Sequence, residues 1–86
     1  MIYVDETITW ESGPWCHMMT DASADLEELH QFAESIGMRR AWFQDKPRFP
    51  HYDLRPSKRL LAVQRGAIEV SGRELVEKCR RLEGKK

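Results

Sequence analysis

The tract His51-Tyr52-Asp53-Leu54-Arg55-Pro56-Ser57-Lys58-Arg59 gathers an imidazole, a phenol, a carboxylate, a hydroxyl and three cations just ahead of an apolar helical pattern. Two chemistries suit such a set. A helix start offers free backbone N–H groups, and Lys58 and Arg59 in its first turn would oppose the macrodipole by roughly 0.3–1 kcal/mol each. A phosphate or carboxylate held by those N–H groups, the Ser57 hydroxyl and a bidentate Arg59 would offset that. The structural alternative is a pair of surface cations facing acids such as Asp53. His51 and Asp53 lie two apart, so in an extended segment they project from one side. There they could share a metal, or Asp53 could orient His51 as a general base. The structural alternative makes Asp53 a helix cap and His51 a loop residue.

Other residues could join them. Asp5 follows the first β-prone run and would face a ligand at a strand end, or cap a turn. His17 and Asp21 could reach the same place. Cys16 and His17 are adjacent, so on a strand they face opposite ways and cannot form a dyad; Cys16 is expected to be buried. His30 borders a helical apolar stripe and is expected on the helix flank. Trp42 is expected in the core, whereas Trp10 and Trp15 flank a Gly13-Pro14 turn and could be exposed.

The elements that must position these groups follow from periodicity and punctuation. Ile2-Tyr3-Val4 reads as a strand that Thr7-Ile8-Thr9-Trp10 could extend, and Trp15-Cys16-His17-Met18-Met19 as a second. Leu26, Leu29, Ala33 and Ile36 form one helical stripe, with Ser23 as cap and Gly37 as stop. Arg40-Ala41-Trp42-Phe43-Gln44 reads as a strand, and residues 45–50 as a loop because Pro47 and Pro50 cannot donate to a ladder. A second helix starts between Asp53 and Ser57 and stops at Gly66. Ala67-Ile68-Glu69-Val70 reads as a strand, and Ser71 caps a last helix carrying Leu75, Cys79 and Leu82.

Strands alternating with helices imply crossover units. The expected fold is a small single α/β domain over residues 1–83: a mainly parallel sheet of three to four short strands with about three helices, and a frayed tail at 84–86. Its site would lie on the rim outside the strand carboxyl ends, where Asp5 and the tract after Trp42 converge.

Composition narrows the function. With 86 residues the chain is one domain, and so small a core makes a homodimer the expected assembly. Fourteen basic and fourteen acidic residues leave no net charge, which argues against general nucleic-acid coating but not against a phosphorylated small molecule. Cys16 and Cys79 show no metal or disulfide spacing, Asp5 and Glu6 interrupt any signal sequence, and no apolar run spans a membrane. A cytoplasmic, non-membrane protein is expected.

Tyr3-Val4-Asp5, Cys16-His17-Met18, Asp21, Leu26, Leu29-His30, Trp42-Phe43-Gln44, His51-Tyr52-Asp53, Ser57-Lys58-Arg59 and Ala62 with Gly66-Ala67 together resemble a family of small phage and bacterial proteins known as a domain of unknown function, number four-zero-three-one. The resemblance runs from about Ile2 to Val70, and Arg55-Pro56 departs from its pattern. It implies shared polar positions at Asp5, His17, Asp21, His51, Tyr52, Asp53, Ser57, Lys58 and Arg59, and a phage accessory or host-takeover role.

The leading expectation is a site for a nucleotide-type ligand, which the protein either sequesters or hydrolyses as a phosphodiesterase or nuclease. His51, Asp53 and His17 are its candidate catalytic groups; Asp5, Asp21, Tyr52, Ser57, Lys58 and Arg59 are its candidate ligand contacts. Tyr52 or a tryptophan would stack on the base. The metal ligands are left open, and a divalent cation, Mg²⁺ or Mn²⁺, is the candidate cofactor. The competing expectation is a protein-interaction module that inhibits a host protein through Trp10 and Trp15.

Overall fold

The strand Gly13–Thr20 (β3) organises the molecule, because three other strands pair along it. The computed structural model describes residues 1–82, so the expected tail lies outside the described residues. Ile2–Val4 (β1) pairs antiparallel with the far half of β3, and Ile8–Trp10 (β2) antiparallel with its start. Tyr52–Leu54 (β4) runs antiparallel to its middle. Met18 faces Val4 on one side and Tyr52 on the other, so β1 and β4 flank opposite edges. Ile68–Glu69 (β5) adds to β1 in parallel.

The sheet is therefore mixed and mostly antiparallel, which corrects the expected mainly parallel one. Two segments account for the difference. Residues 40–44 were expected to be a strand; instead Arg40–Trp42 is a 3₁₀ turn, and Trp42 is 48% exposed rather than in the core. The strand that follows the first helix is β4, and its alternation of buried Tyr52, half-exposed Asp53 and buried Leu54 has the period of a one-sided strand. It returns beside β3 without the right-handed crossover that parallel pairing requires. Among the described residues only β1 and β5 pair in parallel.

Three helices cover the sheet. Leu26–Ser35 (α1) is capped by Asp25, whose carboxylate accepts from the Glu27 N–H at 3.0 Å. Pro56–Gln64 (α2) starts with Pro at its first position, where the missing N–H is not needed. Gly72–Cys79 (α3) carries a capping box between Ser71 and Glu74, as its sequence suggests. Leu82 lies beyond it and is exposed.

Alternation along β3 divides the packing. Cys16 and Met18 point toward α1 and α2, joining Val4, Leu29, Ala33, Ile36, Tyr52, Leu54 and Ala62 in the main core. Tyr3 and Met19 point the other way, where α3 covers them with Leu75 and Cys79. His30 is part of the main core rather than a flank, with its Nδ1 2.7 Å from the Tyr52 hydroxyl. Only the Tyr3–Met19 end of the second face is covered by α3. The rest, around His17 and Asp53, is open.

Both cysteines are buried and free. Burial pushes the Cys16 thiol up to about 12 and the Cys79 thiol to about 11, from an ordinary 9.0. A raised thiol pKa stabilises the fold fully below pH 9.0 and ceases to as pH climbs toward 12, because the unfolded chain ionises first. At pH 8 the native thiols should resist a chromogenic disulfide reagent and react only on unfolding, while melting temperature should fall as pH rises above about 9. Prompt native labelling at pH 8 would contradict this packing.

Candidate metal centre

Four polar groups meet on the open face, and three adjacent strands position three of them in a row. His17 on β3 is the direct cross-strand partner of Asp53 on β4. On the other edge Asp5 lies just past β1, its N–H donating to the His17 carbonyl at 3.2 Å. Between Val4↔Met18 and Ile8↔Trp15 the hairpin advances four residues on one strand and three on the other, so residues 5–7 contain a bulge. Bulges re-aim side chains, and this one turns the Asp5 carboxylate into the ladder. Asp5 Oδ1 accepts from the His17 N–H at 2.6 Å and Oδ2 lies 2.8 Å from His17 Nδ1. The bulge is braced by Arg59, which donates from Nε to the Asp5 carbonyl at 2.9 Å and from a terminal nitrogen to Glu69 at 3.2 Å.

His51 arrives from the loop before β4. Reciprocal bonds with Gln44, at 2.8 and 3.1 Å, pin its backbone, and its ring meets the His17 ring edge-on with centroids 5.2 Å apart. His51 Nδ1 lies 2.6 Å from the Phe49 carbonyl, and Nε2 lies 3.3 Å from Asp53 Oδ1.

Those contacts fix where the protons sit. A carbonyl and an ionised carboxylate only accept, so each histidine must carry a proton on Nδ1. That leaves the Nε2 lone pairs for the groove. At His51 such a lone pair would face the Asp53 oxygen across 3.3 Å, which is repulsive unless a proton or a cation lies between. His17, His51 and Asp53 each offer a ligand atom, and these atoms lie within 4.8 Å of one another. Ligands about 2.1 Å from one ion stand about 3–3.4 Å apart, so small side-chain rotations close the set. Asp5 and the Phe49 carbonyl supply the outer hydrogen bonds that orient metal-binding histidines.

Two imidazoles and a carboxylate leave coordination positions open for water or substrate. Imidazole favours first-row transition ions over Mg²⁺, so Mn²⁺ suits this set better of the two expected cations. The Asp5 hydrogen bond raises the His17 pKa above its ordinary value against an opposing effect of burial, and a metal taking Nε2 displaces any proton there.

The remaining sequence candidates divide. Ser57 and Lys58 line the groove, although Lys58 Nζ also donates 2.7 Å to the Ile36 carbonyl at the end of α1. Arg59 serves the bulge from below. Tyr52 is fully buried, which removes its ring from any ligand. Asp21 sits at the other end of β3, about 13 Å along the strand from His17, where it bonds the Tyr3 hydroxyl at 2.9 Å. Sequence reasoning missed Arg55, Gln44 and Lys46 as contacts; they line the groove together with Trp15, which was expected at an exposed surface. The signal for Arg55 was present: His51, Asp53 and Arg55 alternate with buried Tyr52 and Leu54.

The centre makes a direct prediction. Calorimetric titration with Mn²⁺ or Co²⁺ should show one site, lost in His17→Ala and His51→Ala. Asp5→Asn should weaken it roughly 10–100-fold by loosening the His17 ring. Unchanged binding in all three variants would remove the centre.

The model of a family described as a protein of unknown function, DUF4031, matches residues 2–82. That extends past Val70, where the sequence resemblance stopped, and takes in α3. No curated protein and no solved structure matches the chain. A match over nearly the whole length, covering all three strands that carry the centre, shows that the chain belongs to the DUF4031 family.

Proposed function

We propose that the chain is a metal-dependent phosphodiesterase acting on a nucleotide-type ligand. The observation that carries this is the pair of Nδ1-anchored histidines that meet Asp53 in an open groove, with a ligand atom from each of the three within 4.8 Å of the others. Side-chain exposures of 37% for His17, 14% for His51 and 38% for Asp53 leave the centre reachable while partly shielded from water.

A bound divalent metal would lower the pKa of a coordinated water toward about 7 and polarise a phosphoryl oxygen. The chain's own groups do the rest. His17 and His51 are held by Asp5 and Phe49, so little reorganisation accompanies reaction. Lys46 lies on the metal side of the groove and Lys58 and Arg55 beyond it, all placed to neutralise phosphate. In the balanced reaction the water oxygen bonds to phosphorus, the ester P–O bond breaks, and the alcohol leaves with a hydrogen from water. In the phage setting that the family resemblance implies, this would be an accessory activity on host or phage nucleotides.

One observation favours a second reading. The β2 hairpin presents Ile8 and Trp10 to solvent, at 47% and 54% exposure, and these would suit a protein partner, a second copy of the chain included. Among the described residues no helix is long and apolar enough to cross a membrane.

Bis(p-nitrophenyl) phosphate, cyclic nucleotides and short oligonucleotides incubated with the protein and Mn²⁺, Co²⁺, Zn²⁺ or Mg²⁺ decide the matter. Turnover should appear with at least one transition ion, stop with chelator, and drop about a hundredfold or more in His51→Ala. Tight nucleotide binding without turnover under every metal would replace hydrolysis by sequestration. No binding and no turnover, with function lost in Trp10→Ala, would favour the interaction reading.

A further inference from the structure

Beside the metal centre the groove opens into a second lobe of about 580 Å³. The two lobes share Trp15, Gln44 and Asp53, so a single ligand can occupy both. Side-chain alternation sets their spacing. Trp15 and His17 lie two apart on β3, and Asp53 and Arg55 two apart on β4 and its extended continuation. Hence the Arg55–Trp15 pair is the next rung of the same face, about 7 Å from the His17–Asp53 rung.

That rung has an unusual construction. The Arg55 guanidinium lies 3.9 Å over the Trp15 ring. It is also hemmed by Gly13, at φ +115, where any Cβ would strike the guanidinium. Among the described residues Arg55 has no carboxylate partner, and Lys58 beside it bonds only a carbonyl. A cation that is stacked, confined and unpaired by acid is preorganised for an incoming anion. Trp42 also lines this lobe, a large flat ring left half exposed rather than packed in the core, with the Arg39 guanidinium 6.0 Å from its centroid. Met38 and Ala41 complete an apolar wall.

Building on the phosphodiesterase reading, we propose that this lobe is a nucleobase subsite, in which Trp42 stacks the heterocycle and Arg55 anchors the phosphate that the metal engages. The two lobes are continuous through Trp15, Gln44 and Asp53, so phosphate on the metal and base on Trp42 can belong to the same nucleotide. Recognition through a ring face tolerates every base, so the subsite selects nucleotides over other phosphate esters without choosing a sequence.

The test is calorimetric titration of the full chain, loaded with Mn²⁺, with AMP and separately with ribose 5-phosphate. These share a phosphate and differ in the base, and as monoesters they stand in for product. AMP should bind about tenfold tighter, the size of one base–aromatic stack. Trp42→Ala should abolish that preference and Trp42→Phe should restore most of it, both with unaltered Mn²⁺ affinity. Arg55→Ala should weaken both ligands alike. Equal affinities in the wild type, or a preference that survives Trp42→Ala, overturns the subsite. A wild-type chain that takes up no Mn²⁺ overturns the phosphodiesterase reading instead, and the same two ligands titrated with chelator then decide the subsite on their own.

Discussion

The alternation of side chains along β3 is the constraint from which the rest of the molecule follows. One strand must place Cys16 and Met18 in a dry core and Trp15 and His17 in a wet groove, and a period of two is the only pattern that does both. Met18 is paired on both sides and wholly buried, so its strand cannot slip. A slip of one residue would drive His17 into the apolar core and expose Met18. The register that stabilises the fold is thus the register that builds the site.

The same logic explains why the site occupies this part of the sheet. The two longer helices pack on the core face, and α3 covers only the Tyr3–Met19 end of the other. Beyond α3 the second face carries His17, Asp53 and the bulged Asp5, with the Arg55-covered Trp15 as the next rung. The polar groups are costly to desolvate unless paired, so they persist at an open face where water or a ligand satisfies them. Asp5 is the exception. It is buried, yet its two oxygens are satisfied by the His17 backbone and ring, and Arg59 fixes the carbonyl of the same residue.

Hydrogen bonding then turns a polar cluster into a directed one. Because Asp5 and Phe49 can only accept, they fix both histidines with Nε2 toward the groove, whichever protonation state the rings adopt. The Arg55–Trp15 rung shows the same economy: one glycine at positive φ leaves the space that a guanidinium fills. Orientation in this groove comes from neighbours that are themselves fixed by the ladder.

Much of this was legible in the sequence. The helical stripe through Leu26, Leu29, Ala33 and Ile36, the Ser71 cap, the buried Cys16 and the same-side placement of His51 and Asp53 all depend on local periodicity and short-range hydrogen bonds, which travel with the chain. What local patterns lack is the identity of a partner. The segment at residues 40–44 has strand-prone Trp42 and Phe43 but pairs only at Gln44, whereas Tyr52–Leu54 is short and prolines precede it, yet β3 offers it an edge. That pairing made the sheet mostly antiparallel, buried Tyr52 and brought Asp53 opposite His17. Asp21 could only be assigned by tertiary distance, since three strand residues separate it from His17. The sequence by itself determined which side chains share a face; the tertiary structure decided which faces meet, because strand pairing joins residues whose separation along the chain carries no signal of their contact.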